Sequence, residues 1–77
     1  MTLMGGDEMD KRRITLKAAR VNAGFTQKEV AENIGVAETT IFNWENGKSR
    51  ITFEGLVMLA NLYKMGVDDF LLPKKSI

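Results

Sequence analysis

The stretch that decides the fold is QKEVAENIGVAETTIFNW, residues 27–44. Five of its residues follow the spacing Q-x3-A-x3-G-x5-I-x2-W, namely Gln27, Ala31, Gly35, Ile41 and Trp44. Gly35 separates two short helical runs, and glycine accepts the positive φ that a tight turn needs. The small side chain of Ala31 lets two helices cross closely at a steep angle. The spacing therefore predicts two helices joined by a short turn, with Ile41 and Trp44 holding the second helix to the core.

Capping residues mark the boundaries of the helices before and within this pair. Thr15 can cap a first helix that ends at Gly24 in the left-handed conformation. Thr26 and Glu29 fit a capping box at the start of the second helix, with Phe25 in the position of a hydrophobic staple. The first two helices are thus delimited by local chemistry alone.

The rest of the chain continues in short helical segments. Their expected limits are Ala37 or Glu38 to Gly47, Thr52 to Gly66, and a last turn over residues 68–72. No strand is expected, because the one β-prone run, TTIF, is short and framed by helix signals. The predicted fold class is therefore all-α, a compact domain of five helices.

Composition restricts the class of function. The chain has 77 residues, of which 44% are hydrophobic, and this suits one small globular domain. It has no cysteine and no histidine, so it lacks thiolate ligands, the commonest general base and the commonest metal ligand. No apolar run reaches the length of a membrane span. We therefore expect a cytoplasmic protein that is not an enzyme and uses no metal or cofactor.

Charge is distributed unevenly along the chain. Residues 1–10 carry a net charge of −3 and residues 11–50 a net charge of +4, while the remainder is balanced. The expected organisation is a flexible leader over residues 1–13, a folded domain over residues 14–72 and a tail over residues 73–77. A basic middle region permits a polyanionic partner, although charge alone does not demonstrate one.

The spaced pattern, with T-Q-x-E at its start and W-E-N-G-K at its end, resembles the helix-turn-helix of the Cro/CI-repressor-like (XRE) family of DNA-binding proteins. The resemblance covers about residues 14–72 and implies a lambda-repressor-like domain whose helices 2 and 3 form the motif. It implies a sequence-specific DNA-binding transcriptional regulator, a small phage- or plasmid-type repressor in a bacterial or phage-infected cell. Because one such domain reads few base pairs, a homodimer in the major groove of a palindromic operator is expected.

The resemblance also implies roles for individual residues. The expected base-reading residues are Glu38, Thr39 and Asn43. The expected contacts to the DNA backbone are Gln27, Thr40, Asn46, Lys48 and Arg50. The expected structural residues are Arg20, Glu45, Ala31, Gly35, Ile41 and Trp44. Within this last group, Arg20 and Glu45 match a pair that forms a partly buried ion pair in some members.

Several assignments stay open on the sequence alone. Phe42 suits a thymine methyl group or a sugar, and it suits equally well a surface covered by the leader or by a protein partner. Lys11, Arg12 and Arg13 are either a solvated run or an arm that reaches phosphates. The apolar residues late in the chain are either a dimer surface or, for Phe70 and Leu71, closure of the core. The candidates for the dimer surface are Tyr63, Met65, Val67, Phe70, Leu72 and Ile77.

A different function is also compatible with the fold. The same domain could be a protein-interaction module of the antitoxin or anti-repressor type, in which Phe42 and Glu38 mark the contact. Glu38 stands where the family often has an amide, and a carboxylate repels phosphates while accepting from a cytosine amino group.

Overall fold

The computed structural model describes residues 13–73 of the chain. Within them lie four α-helices, α1 (Leu16–Ala23), α2 (Gln27–Ile34), α3 (Glu38–Glu45) and α4 (Phe53–Tyr63). A 3₁₀-helix over Val67–Asp69 leads into strand β2 (Phe70–Leu71), which pairs in parallel with strand β1 (Ile14–Thr15). The register places Ile14 opposite Phe70 and Thr15 opposite Leu71. The fold is thus helical, with one short strand pair joining its two ends.

The C-terminal end corrects two expectations. The sequence predicts a helical turn over residues 68–72 and no strand, whereas the structure has a three-residue 3₁₀-helix followed by β2. The five-helix count is therefore not confirmed, and the expectation of no strand is wrong. Phe70 is extended, with φ −94° and ψ 138°. It pairs with a residue near the start of the chain, a contact that no local pattern encodes.

The helix starts follow the predicted caps. The hydroxyl oxygens of Thr15, Thr26 and Thr52 accept from backbone amides three residues later, at 3.1, 3.0 and 2.9 Å. The Glu29 carboxylate accepts from the Thr26 amide at 2.9 Å, which completes the capping box. Ala37 provides no side-chain cap, so α3 starts without the hydrogen bond that the other three helices have.

The helix ends agree with the sequence in two places and differ in two. Gly24 and Gly35 end α1 and α2 with φ of 86° and 78°, as predicted. Lys64, with φ 60°, ends α4 before Gly66 is reached, and α3 ends two residues before Gly47. The left-handed conformation is unfavourable for a residue with a Cβ, so glycine is the expected stop. Lys64 is the exception that the sequence does not signal.

The core lies where the four helices meet. Its buried apolar residues are Leu16, Ala19, Val30, Ala31, Ile41, Trp44, Leu59, Ala60, Tyr63 and Phe70. The rings of Tyr63 and Phe70 lie 6.3 Å apart, centroid to centroid, inside it. Neither is therefore available to a dimer surface, and Phe70 closes the core. Leu71 is 52% exposed, so its expected part in core closure is wrong.

Gly55 gives the Trp44 indole its place in the core. A Cβ on Gly55 would lie 2.6 Å from Cη2 and 3.0 Å from Cζ3 of Trp44, closer than carbon atoms can approach. Glycine inside a helix normally costs about 1 kcal/mol relative to alanine. Here it lets the indole of α3 lie directly against the backbone of α4, so packing overrides helix propensity.

Gly55→Ala is expected to lower the free energy of unfolding by about 1–3 kcal/mol, because the added methyl group displaces a buried ring. Propensity alone predicts the opposite sign. Urea unfolding followed by circular dichroism measures the change. Asn61→Ala, an exposed change in the same helix, serves as the control. The penalty should shrink in a Trp44→Phe background, and an unchanged penalty there would contradict the proposed clash.

Tyr63 carries a buried polar atom in this core. Within residues 13–73, no group forms a hydrogen bond with its hydroxyl oxygen. Burial raises the pKa of Tyr63 to about 12, the nearby Glu45 carboxylate adds to the rise, and Arg20 opposes it. The phenol is therefore held neutral well above its ordinary range.

Titration of this phenol should distinguish the folded chain from the unfolded chain. The absorbance signal belongs to Tyr63, because it is the only tyrosine in the chain. Phenolate absorbance should show a midpoint near pH 12 in the folded protein and about pH 10 in urea. The unfolded chain loses the proton first, so between these pH values stability should fall with rising pH, by up to about 3 kcal/mol. Tyr63→Phe should lack this component, and equal midpoints in both states would contradict it.

Candidate nucleic-acid interface

The α2–α3 pair fixes the direction in which α3 faces. Ala31 is buried, and its carbonyl oxygen accepts from the amides of Gly35 and Val36 at 2.8 and 3.0 Å. These two bonds close the turn between the helices. Ile41 and Trp44 are buried on the inner side of α3. The opposite side of α3 is therefore presented to solvent in a fixed orientation.

The outer face of α3 carries three polar side chains. Glu38 and Thr39 are exposed and Asn43 is half-buried. At about 100° per residue, Thr39 lies opposite the buried residues and Asn43 lies to one side of it. The hydrogen bonds among the described residues use none of these three side chains, which leaves their polar groups free. Thr40, half-buried, flanks this face.

The loop after α3 folds back onto the end of that helix. The amides of Asn46 and Gly47 donate to carbonyl oxygens of Phe42 and Trp44 at 3.0 and 3.4 Å, and the Lys48 amide donates to the Asn43 carbonyl at 2.9 Å. The amides of Asn46 and Gly47 therefore already have partners within the chain. The loop also presents the exposed side chains of Lys48 and Arg50, which can bind an anion.

Asn46 has a smaller free donor capacity than the sequence implies. Its Nδ2 donates to the Phe42 carbonyl at 2.8 Å, which occupies one of its two N–H groups. The other N–H group and the carbonyl oxygen remain for a ligand. One N–H group of Asn46 therefore holds the end of α3, and only the rest of its side-chain amide can contact a ligand.

A three-residue network joins the first three helices. Arg20 Nε and Nη2 donate to the two oxygens of the Glu45 carboxylate at 2.7 and 3.3 Å, and Arg20 Nη1 donates to the Phe25 carbonyl at 2.9 Å. Gln27 Nε2 donates to Glu45 Oε1 at 3.0 Å. The family resemblance implies the pair of Arg20 and Glu45 and assigns Gln27 to contacts with the DNA backbone. The structure therefore places one expected backbone contact inside the structural network.

Phe42 is the apolar member of the outer face. It is 42% exposed, and the Lys48 ammonium lies 5.6 Å from the centroid of its ring. This is within the range of a cation–π interaction. The sequence gives no signal for this pairing, because Lys48 lies in the loop after α3 and its position depends on how that loop folds back.

Several expected site residues lie near the ends of the sequence. Arg13 is exposed before β1. Lys11 and Arg12, which the sequence offers as an arm, and Ile77, a candidate for the dimer surface, are outside the described residues.

In the described part, no helix is long and apolar enough to cross a membrane. No three side chains of His, Cys, Asp or Glu in that part are grouped to hold a metal ion.

Two bacterial proteins of the HTH type are similar in sequence to this chain. The HTH-type transcriptional regulator ImmR of Bacillus subtilis (strain 168) is 37% identical over 62 residues, which are 80% of this chain and 48% of that protein. The HTH-type transcriptional activator BcrR of Enterococcus faecalis is 30% identical over 62 residues, which are 80% of this chain and 30% of that protein. The chain thus spans about half or less of these curated relatives. No solved structure matches it significantly.

The family match covers most of the described residues. Residues 16–70 match HTH_3, the helix-turn-helix family, and include all four helices and the turn between α2 and α3. The chain belongs to this helix-turn-helix family, of the Cro/CI-repressor-like (XRE) type.

Proposed function

We propose that this chain is a sequence-specific DNA-binding transcriptional regulator. The observation that carries the proposal is the exposed polar face of α3, held outward by the α2–α3 packing. A helix presented in this way fits the major groove of B-DNA, which is about 12 Å wide. Glu38, Thr39 and Asn43 face the base edges, while Lys48 and Arg50 hold the phosphate backbone.

Gln27 and Thr40 complete the contact to the backbone on either side of α3. Gln27 is the first residue of α2, where its free N–H group can donate to a phosphate. Thr40 flanks the reading face with its hydroxyl. Asn46 contributes its remaining N–H group at the end of α3. These polar contacts set the register of α3 in the groove and carry little sequence information themselves.

The regulator acts as a small repressor of the phage or plasmid type, by occupying its operator without a cofactor. One domain reads few base pairs, so the working form is a homodimer on a palindromic site with half-sites about 34 Å apart. Val67 and Leu72 remain exposed among the candidates for the dimer surface.

The competing function is a protein-interaction module of the same fold. The exposed ring of Phe42 favours it, since an aromatic side chain at the centre of a polar face suits an apolar partner. Salt dependence separates the two functions. Phosphate binding releases condensed counterions, whereas contact through an apolar face does not.

DNA binding should weaken steeply with salt. Selection of bound sites from random duplex DNA should return a palindrome. Fluorescence anisotropy then measures the affinity for this site at salt concentrations from about 50 to about 300 mM, which include the physiological value. Lys48 and Arg50 in two subunits should give a log–log slope of about −3.6, from −0.9 per neutralised phosphate. A flat dependence, or no retention of DNA at low salt, would count against the proposed function.

Two alanine variants should separate base reading from backbone contact. Asn43→Ala should reduce discrimination between the selected site and unrelated DNA by about 1–3 kcal/mol, while leaving non-specific affinity unchanged. Lys48→Ala should weaken binding to both DNAs and make the salt slope shallower by about 1 for each subunit.

Asn61→Ala, an exposed asparagine on α4, is the control for Asn43→Ala. Circular dichroism melts verify that all three variants are folded. Equal loss of specific and non-specific affinity in Asn43→Ala would remove Asn43 from the base-reading set, while leaving the proposed DNA binding intact.

A further inference from the structure

We propose that Phe42 is a specificity-determining residue that reads the C5 methyl group of a thymine in the bound DNA. This rests on the proposed function and names the chemistry that one side chain of the interface recognises. It follows from the exposure of the ring, the hydrogen bonds that fix its backbone and the cation beside it.

The fold does not explain the position of Phe42. The neighbouring apolar residues of α3, Ile41 and Trp44, are 1% and 7% exposed, whereas Phe42 is 42% exposed. Phe42 lies about 100° around the helix from Ile41, outside the buried side. Burying an aromatic ring is strongly favourable, so a ring left in water contributes little to folding. Exposure alone does not mark a ligand contact, because Phe53 is 73% exposed on α4. Phe42 differs in that helical spacing places it on the outer face of α3, between Glu38 and Thr39.

The ring is displayed from a rigid backbone. The Phe42 carbonyl oxygen accepts two hydrogen bonds from Asn46, one from the amide at 3.0 Å and one from Nδ2 at 2.8 Å. The Lys48 amide is bonded to the Asn43 carbonyl in the same turn. Phe42, Asn43 and the start of the loop therefore form one unit, and a side chain held in this way can sense a single methyl group.

The neighbouring charge selects the kind of partner. The Lys48 ammonium lies 5.6 Å from the ring centroid, so any surface that covers the ring must also accommodate a cation. An apolar protein surface would strip water from the ammonium without replacing its hydrogen bonds, which is costly. DNA supplies a phosphate to the ammonium and a base edge to the ring at the same time. The position of Lys48 therefore favours DNA.

The base edge that suits a phenyl ring is that of thymine. In the major groove the C5 methyl group of thymine is the apolar feature that distinguishes bases, and phenylalanine is one of the side chains that contact it. Thr39 and Asn43 beside the ring can form hydrogen bonds, which the ring cannot. The outer face of α3 thus combines polar readers with one apolar reader.

Replacement of thymine by uracil tests this proposal, since it removes the methyl group and keeps the base pairing. In the selected site, each thymine is replaced in turn and the affinity of the full chain is measured. At one position in each half-site, the loss should be about fourfold, the equivalent of about 0.8 kcal/mol for one methyl group. Phe42→Ala should abolish this loss at that position and leave the others unchanged.

A second pair of DNAs checks the same contact without thymine. At the sensitive position, 5-methylcytosine should bind the native chain about fourfold more tightly than cytosine, because both DNAs carry the same base pair and differ by one methyl group. Phe42→Ala should bind the two DNAs equally. This arm excludes an effect of uracil on the shape of the groove.

Phe53→Ala is the matched control, because Phe53 is 73% exposed at the start of α4 and lies off the reading face. It should keep the full difference between thymine and uracil. Uracil effects that persist in Phe42→Ala would assign the methyl group to another residue and overturn the proposal, as would the absence of any uracil effect. Failure of the native chain to bind DNA at all would instead overturn the proposed function, and this proposal with it.

Discussion

One carboxylate holds the three N-terminal helices together. Glu45 of α3 accepts from Arg20 of α1 and from Gln27 of α2, and the Glu45 and Arg20 side chains are only 3% and 10% exposed. Burying a charged group is costly unless it is paired with an opposite charge. The Arg20–Glu45 pair is therefore stable only when α1 and α3 are packed together. Loss of either partner would leave an unpaired buried charge, at a cost of about 3–5 kcal/mol. The direction of α3 therefore depends on this contact.

The same contact sets what Gln27 can offer to a ligand. A carboxylate can only accept hydrogen bonds, so the nitrogen of the Gln27 amide must face Glu45. The amide oxygen then faces away, together with the second N–H group. In the proposed complex, Gln27 consequently meets DNA in one fixed orientation. The network that stabilises the fold and the surface proposed to bind DNA thus share a residue, and a change at Glu45 acts on both.

The sequence predicts most of the local structure and little of the long-range structure. The threonine caps and the turn at Gly35 follow from interactions within a few residues, and they appear as expected. The pairing of β1 with β2 and the fit of Gly55 against Trp44 depend on residues distant in the chain. For the candidate site, helical spacing predicts the outer face of α3. It cannot predict that Gln27 bonds to Glu45, 18 positions away.

The charges on α3 and the charges beside it have opposite effects on a polyanion at the proposed interface. The helix has two acidic residues and no basic residue, and Arg20 neutralises Glu45. The Glu38 carboxylate thus gives the reading face its net negative charge, and this charge repels a polyanion. Attraction to phosphates must therefore come from residues beside the helix, chiefly Lys48 and Arg50. In the proposed complex, Glu38 lowers affinity for sequences that do not place a donor, such as a cytosine amino group, against it. Its effect is then to widen the difference between the right site and all others, because specificity is a difference between affinities.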